Sequence, residues 1–422
     1  MTTTYIKLIQ QPISESISVE VPSSKSISNR LLLLKKTYNP NLRIDKLSKA
    51  NDTLLLKKLL TEIDINTTQR REVKQIDAEN SGTCLRFLCA YLCFQKGKWL
   101  LTGSARMKNR PIEDLVSLMQ SCGAKILYKE KYGYPPLEIT GTDCQIPSSE
   151  LSVNAEKSSQ FVTAFLLVLP LFKKDVVLQV KNMQSSVSYI HMSITLMQKL
   201  GIQISMKEQT ISYIHTQPIQ KKRSIQVEPD WSAAAYWFVF AALHPSSQIF
   251  IKNLRKSKLQ SDANIENIIK HFNVGVKYSP EGATIYKYVD KNIENFTFDC
   301  SNNLDLVPLL TVLCAVLNIK ANIKGIYNLI YKESNRIIAL AEELNKVSNV
   351  KFTKNFFKII PNGNPKLFTP HFLTYDDHRL AMSLSLWVHQ FPNIYIENPD
   401  CVHKSYPDFW NNLNKTGIEI QS

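Results

Sequence analysis

Residues 24–45 read SKSISNRLLLLKKTYNPNLRID, a polar loop that leads into an apolar helix and then into a short strand. The same order occurs six times along the 422 residues, and each time a basic loop, a second helix and another strand follow. Such a unit has one apolar face and can bury it only against its neighbours. Periods of this length therefore predict a repeat architecture.

The repeats are defined by their helix starts and strands. First helices are predicted to begin near Ser26, Ser81, Ser158, Trp231, Leu306 and Asp377. Second helices are predicted to begin near Asp52, Pro111, Ser188, Asp262, Glu333 and Asp408. The strands between them read LRI (42–44), WLLT (99–102), VVLQV (176–180), IFI (249–251), ANI (321–323) and IYI (394–396).

The order of the repeats predicts an α/β fold with two similar domains of three repeats each. The first domain is expected to cover residues 23–228. The second is expected to cover residues 1–22 together with 229–422, and so to include the N-terminal strand. No GxGxxG or GxxxxGK[ST] motif is present among only 12 glycines, which argues against a nucleotide-binding parallel sheet.

Basic residues recur at the predicted helix starts. Lys25, Arg110, Lys332, Arg379 and Lys404 all fall just before or within a predicted first turn. A cation there faces the positive end of the helix dipole, which is unfavourable unless an anion lies between them. Because a helix N-terminus is itself an anion site, the six repeats together predict a pocket for a highly charged small molecule.

Each position also has a purely structural interpretation. Ser26, Ser158 and Asp305 can be simple N-caps, and Glu333 can be a surface carboxylate that matches a helix dipole. Gly82 either marks a helix start or lets a ligand approach the backbone closely. It is the recurrence at equivalent places that favours a binding site.

Composition restricts the classes of partner. Most of the lysines behind the net charge of +15 suit a solvated surface, and the remainder suit an anionic ligand. The basic residues are not interleaved with aromatic ones, so no nucleic-acid partner is expected. The cysteines lack a CxxC pair and the histidines lack zinc spacing, so we expect reduced core cysteines, no metal and no cofactor. Without a long apolar run or a signal-peptide core, a cytoplasmic monomer that does not cross a membrane is expected.

Seven motifs occur in the order of one known family: SKSISNR (24–30), NSGT (80–83), RMKNRPI (106–112), KSSQF (157–161), YNLIYKESNR (327–336), DDHR (376–379) and HKSYPDF (403–409). In these motifs the chain resembles the 5-enolpyruvylshikimate-3-phosphate synthase family over essentially its whole length. The resemblance implies domains of three βαβαββ units in an inverted α/β barrel-like arrangement, with the active site in the interdomain cleft. It implies transfer of the enolpyruvyl group of phosphoenolpyruvate to the 5-hydroxyl of shikimate 3-phosphate, with release of phosphate.

The resemblance also implies roles for individual residues. Asp305 is the base for the 5-hydroxyl, Glu333 handles the proton of the methylene carbon, and Lys25 completes the catalytic set. The shikimate 3-phosphate ligands are Lys25, Ser26, Arg30, Ser158, Ser159, Ser186, Tyr189, Asp305, Asn328 and Lys332. The phosphoenolpyruvate ligands are Lys25, Gly82, Arg110, Gln160, Arg336, Arg379 and Lys404. The inhibitor glyphosate is expected to bind in this second subsite.

The chain departs modestly from the family pattern at Phe87, Val187-Ser188, Leu304 and Asn335, and none of these changes removes a charged contact. The nearest alternative is a UDP-N-acetylglucosamine enolpyruvyl transferase. The loop before the Arg-Pro pair carries a cysteine in that family, which residues 103–106 lack. A non-enzymatic or RNA-directed binder of the same architecture is a further alternative, against which the missing aromatic platform argues.

Overall fold

The computed structural model describes residues 4–66, 72–147, 150–216, 223–244, 247–289, 293–362 and 368–421. Contacts divide the chain into two compact units. The first unit is Lys25–Val227, and the second unit is Met1–Ser24 together with Glu228–Ser422. The predicted domain limits were residues 23–228 and residues 1–22 with 229–422. The placement of an active site between the domains stays a prediction.

Every first helix starts within one residue of its predicted position, whereas the second helices predicted near Pro111, Asp262 and Glu333 start two or three residues later. The first unit contains α1 Lys25–Thr37, α2 Asn51–Asn66, α3 Gly82–Leu92, α4 Glu113–Ser121, α5 Ser159–Phe172 and α6 Val187–Lys199. The second unit contains α7 Trp231–Leu243, α8 Ile265–Ile268, α9 Val307–Val316, α10 Arg336–Leu344, α11 His378–Leu384 and α12 Phe409–Asn414.

The strands confirm all six predicted segments. The N-terminal strands are β1 Tyr5–Ile9 and β2 Ser16–Val19. The first unit adds β3 Arg43–Asp45, β4 Val73–Asp77, β5 Lys98–Thr102, β6 Lys125–Tyr128, β7 Leu137–Thr140, β8 Leu151–Asn154, β9 Val176–Lys181, β10 Gln203–Lys207, β11 Thr210–Ile214 and β12 Ser224–Gln226. The second unit adds β13 Gln248–Lys252, β14 Val274–Ser279, β15 Gly282–Lys287, β16 Asn295–Asp299, β17 Lys320–Lys324, β18 Asn349–Phe352, β19 Phe356–Ile360, β20 His371–Phe372, β21 Asn393–Glu397 and β22 Glu419–Gln421.

Three sheets show the repeat in full. Around α5, strands β8 and β9 pair in parallel, and β11 then pairs antiparallel with both β9 and β10. The sheets β4-β5-β7-β6 and β16-β17-β19-β18 follow the same scheme. Two parallel strands joined through a helix, followed by a second helix and a hairpin, make a βαβαββ unit. The predicted α/β class is therefore confirmed.

Strands from elsewhere in the chain complete the other sheets. Strand β2 pairs in parallel with β13, and β1 pairs antiparallel with β21 and β22, so the N-terminal segment serves two sheets of the second unit. In the first unit β12 pairs in parallel with β3, and this sheet has two strands among the described residues. The first repeat thus departs from the predicted βαβαββ pattern, because β12, the strand that pairs with β3, comes from the end of the first unit.

The first helix of a repeat is buried along most of its length. Every residue of α9 is buried, and α5 and α7 are nearly as enclosed. A helix that is apolar all round must lie in a core, and α5 packs on α1, α3 and α6. Among the described residues, no helix combines the length and the apolar composition that a membrane span needs.

A half-buried histidine pair predicts that the protein loses stability in acid. His244 Nε2 lies 2.6 Å from His389 Nδ1. Burial lowers the pKa of His244 to about 4, and burial and the adjacent ring lower the pKa of His389 well below its usual value. The unfolded chain takes up these protons near pH 6.5 whereas the folded rings do not, so the free energy of unfolding should fall as the pH falls below about 6.5.

This prediction is checked by denaturant unfolding between pH 7.5 and 5. His389→Gln should flatten the dependence on pH, whereas His271→Gln, at an exposed histidine, should leave it unchanged. Equal slopes for both variants would contradict the prediction.

Candidate active site

The start of α1 carries two of the predicted basic residues. Lys25 Nζ lies 3.0 Å from Asp52 Oδ2, and Asp52 is in the first turn of α2. Both side chains are largely buried, so this is an enclosed ion pair. Ser26 lies inside the first turn of α1 and not at its cap. The capping interpretation of Ser26 is therefore wrong.

Arg30 is almost fully buried and holds α1 to α6. Its Nε donates to Ser193 Oγ at 2.8 Å, and its Nη1 donates to the Ser26 carbonyl at 2.8 Å. The guanidinium also lies 5.6 Å from the ring centroid of Tyr189 and 5.9 Å from that of Phe87. Burial lowers the pKa of Arg30 to about 10, which leaves it charged at neutral pH. The departure at Phe87 thus lies beside a predicted ligand.

Gly82 opens α3 directly against Arg110. A Cβ atom at position 82 would lie 2.7 Å from both terminal nitrogens of the Arg110 guanidinium. Arg86, one turn along α3, is buried and donates to the Gly82 carbonyl at 3.3 Å and to the Pro111 carbonyl at 2.9 Å. Arg86 therefore links the backbone at Gly82 to the backbone at Pro111, the residue after Arg110. The sequence pattern did not single out Arg86.

The start of α5 is a capped helix end. Ser158 is the N-cap and its Oγ accepts from the Gln160 N–H at 3.2 Å. The Gln160 side chain reaches back to α3, with Nε2 3.4 Å from Thr83 Oγ1. Ser159 is buried in the first turn. Ser186 precedes α6 in the left-handed backbone region, with φ of 57°.

In the second unit, Arg336 is the centre of a charged cluster. Its guanidinium is 1% exposed and makes a two-pronged contact with Asp377, at 2.7 Å from Nε to Oδ2 and 3.2 Å from Nη2 to Oδ1. It also contacts Glu333 at 2.8 Å and Asp305 at 3.0 Å. Three carboxylates around one buried guanidinium raise the pKa of Arg336 further above its usual value despite the burial.

Asp305 is shared between two arginines. Its Oδ1 accepts from Arg336 and its Oδ2 accepts from Arg379, each at 3.0 Å. Burial alone would raise the pKa of Asp305, but Arg379, Lys332 and Arg336 hold it well below its usual range. The resting carboxylate is therefore a weak base. It lies in a 3-10 turn, Leu304–Leu306, that has Asn303 as its N-cap, so the capping interpretation of Asp305 is wrong.

Three expected helix starts are corrected by the structure. Arg110 follows a 3-10 turn, Met107–Asn109, and α4 begins only at Glu113. Lys332 has an extended backbone, and α10 begins only at Arg336 with Asn335 as its N-cap, so Lys332 lies outside the helix. Lys404 ends the 3-10 turn Pro399–Lys404, well before α12. Asn328 is buried in the turn Tyr327–Tyr331 that leads to Lys332.

Similarity to known proteins then identifies the chain. The family model for EPSP synthase (3-phosphoshikimate 1-carboxyvinyltransferase) matches residues 9–413. The chain belongs to the EPSP synthase family. The resemblance seen in the seven motifs is thereby confirmed.

Relatives within the EPSP synthase family match over nearly full length. A 3-phosphoshikimate 1-carboxyvinyltransferase from Bacteroides fragilis (strain YCH46) is 33% identical over 416 residues, covering 98% of each chain. The protein of that name from Buchnera aphidicola subsp. Cinara cedri is 32% identical and covers 94% of this chain and 93% of its own. The structure of EPSP synthase from Acinetobacter baumannii is 19% identical, with a TM-score of 0.75 and full coverage of both chains, which shows the shared fold.

Several residues of the site were missed by sequence reasoning. Asp52, Asp262 and Asp377 appear in the sequence only as markers of helix starts, yet all three are buried carboxylates. The available signal was an acidic residue at a helix start followed by an apolar run. Among the described residues no group of three metal-binding side chains converges. All eight cysteines are buried and none forms a disulfide, as expected of core residues.

Proposed function

We propose that the protein transfers the enolpyruvyl group of phosphoenolpyruvate to the 5-hydroxyl of shikimate 3-phosphate by addition and elimination. The products are 5-enolpyruvylshikimate 3-phosphate and phosphate. Family membership supports this activity. The observation that carries it is the cluster in which Asp305 joins Arg336 and Arg379. A base paired with two anion-binding groups is what the addition of a hydroxyl to an anionic enol phosphate requires.

The geometry suggests how the base is activated. In the free protein the two arginines neutralise Asp305 and keep its pKa low. Arginine also binds carboxylate and phosphate groups through two parallel hydrogen bonds. When the anionic groups of phosphoenolpyruvate engage Arg336 and Arg379, Asp305 loses part of its positive surroundings and its pKa rises. The carboxylate can then accept the proton of the 5-hydroxyl only when the second substrate is present.

The remaining roles follow the family pattern. Glu333, held 2.8 Å from Arg336, delivers and removes the proton at the methylene carbon, and Lys25 stabilises charge on the tetrahedral intermediate. Shikimate 3-phosphate is assigned to Lys25, Ser26, Arg30, Ser158, Ser159, Ser186, Tyr189, Asp305, Asn328 and Lys332. Phosphoenolpyruvate is assigned to Lys25, Gly82, Arg110, Gln160, Arg336, Arg379 and Lys404. We further propose that the protein acts as a cytoplasmic monomer without a nucleic-acid partner.

The test is phosphate release. Purified protein with both substrates should release phosphate, and either substrate alone should not. Replacing shikimate 3-phosphate by UDP-N-acetylglucosamine should give no release, because the family match favours the first acceptor. Retention on heparin at moderate salt without phosphate release would instead favour a nucleic-acid binder.

Gly82→Ala should weaken phosphoenolpyruvate binding. The added methyl group would lie 2.7 Å from the Arg110 guanidinium, which must then move. A displaced anion ligand is expected to raise the Michaelis constant for phosphoenolpyruvate by about tenfold or more. Inhibition by glyphosate, a longer occupant of the same subsite, should weaken further still.

The constant for shikimate 3-phosphate serves as the internal control for this variant and should change little. If the ratio of the glyphosate inhibition constant to the phosphoenolpyruvate Michaelis constant stays the same, Gly82 is only a helix-start glycine.

A further inference from the structure

A fourth carboxylate, Asp262, lies beside the cluster that Asp305, Glu333 and Asp377 form around Arg336. It is 3% exposed and belongs to the 3-10 turn Ser261–Asn264 that precedes α8. Its Oδ2 accepts from Ser232 Oγ at 2.5 Å and its Oδ1 accepts from Asn303 Nδ2 at 3.4 Å. Gln260, and not Asp262, is the N-cap of this turn. A buried carboxylate with two neutral donors and no capping role calls for another explanation.

Asp262 is linked to Asp305 through Asn303. The side-chain nitrogen of Asn303, Nδ2, also donates to the Ser261 carbonyl at 2.8 Å. Asn303 is therefore bonded to two adjacent residues of the turn that contains Asp262. The Asn303 carbonyl accepts from the Leu306 N–H at 2.9 Å, which closes the turn that presents Asp305. Asp262 and Ser261 thus anchor the residue that caps the turn of the proposed base.

Asp262 is also linked to Asp305 through charge. Arg379 interacts electrostatically with both carboxylates, and the two carboxylates repel each other. Tyr236 on α7 and Asp230, the N-cap of α7, also face Arg379, and Cys300, before the Asp305 turn, faces Asp262. Lys332, Glu333 and Arg336 are the further charged groups that face Asp305. A negative charge at Asp262 therefore opposes the arginines that make Asp305 a weak base.

We propose that Asp262 is a positioning residue for Asp305: it fixes the turn that presents the base, and its negative charge keeps that base effective beside two arginines. This inference rests on the proposed function. Burial and the charge of Asp305 raise the pKa of Asp262 to about 6. Protonation of Asp262 in mild acid should therefore switch off its contribution while Asp305 remains ionised.

The experiment measures kcat and the Michaelis constants between pH 5 and 8. In the unmodified protein kcat should fall as the pH falls through about 6. Asp262→Asn should show roughly tenfold lower kcat at neutral pH, because the neutral amide no longer opposes the arginines that make Asp305 a weak base. Its kcat should lack the fall near pH 6, and its Michaelis constant for phosphoenolpyruvate should not increase. A merely structural role would not remove the acid limb.

Two further variants complete the test. Asp299→Asn changes an exposed carboxylate that accepts from the Ser301 N–H, and it should keep the acid limb. Ser232→Ala removes a donor to Asp262 without changing charge, so the limb should move to higher pH. An unchanged limb in Asp262→Asn would overturn the role of Asp262, whatever the limb of Ser232→Ala does. If Asp262→Asn does not fold, the Ser232→Ala shift decides alone.

The substrates themselves titrate near pH 6, so each profile is compared with that of Asp299→Asn under the same conditions. Absence of phosphate release from the unmodified protein would overturn the proposed function itself. Release with an unchanged acid limb in Asp262→Asn would overturn the role of Asp262 alone.

Discussion

Asp305→Asn is expected to lower turnover by roughly 10²–10⁴-fold, the usual contribution of a general base. The amide keeps the size of the side chain but cannot take the proton of the attacking hydroxyl. Arg336 and Arg379, which both donate to Asp305 at 3.0 Å, lose a competing anion at the same time. The Michaelis constant for phosphoenolpyruvate should therefore stay the same or fall while kcat drops.

Steady-state kinetics of phosphate release check this prediction. Asp299→Asn is the matched control, because it removes a carboxylate from an exposed position of the same unit, and it should remain active. Near-normal turnover of Asp305→Asn would show that the residue has only a structural role. A parallel loss of substrate affinity would mean that Asp305 binds substrate more than it moves a proton.

Arg336→Ala is expected to destabilise the folded protein by about 3–5 kcal/mol, the typical effect of removing one partner from a buried ion pair. The Asp377 side chain is 0% exposed and would lose its buried cationic partner. The same substitution removes a proposed phosphoenolpyruvate ligand, so catalysis should also be lost. Both effects arise because the Arg336 guanidinium contacts three carboxylates.

Denaturant unfolding at pH 7.5 measures the first effect. Arg43→Ala breaks an exposed pair with Asp45 and should change the free energy of unfolding by less than about 1 kcal/mol. Arg336→Ala combined with Asp377→Ala should cost less than the sum of the single variants, because neither charge then remains buried alone. Additive costs would contradict the coupling between Arg336 and Asp377.

The sequence predicted the α/β repeat and its helix starts well, for local reasons. The apolar run after Lys157-Ser158-Ser159-Gln160 has a helical length and a capping serine, and α5 begins there as expected. Rules based on local spacing failed where another residue or strand determined the backbone conformation. The pattern predicts that Lys332 lies at a helix start, but Asn335 is the residue that caps α10. The first repeat also lacks its own full sheet, because β12 from the end of the unit pairs with β3.

By itself the sequence determined the repeat, the family and the identity of the charged residues, since each depends on patterns within a few turns of chain. The tertiary structure alone decided which charges meet. Asp305, Arg336 and Asp377 come from three different segments, yet they form one buried cluster. Asp262 joins them only through the packing of its turn against α7 and the Asp305 turn. The reason is physical: a buried charge is stable only with partners that pack around it, and no local rule of chain geometry specifies contacts between residues so far apart in sequence.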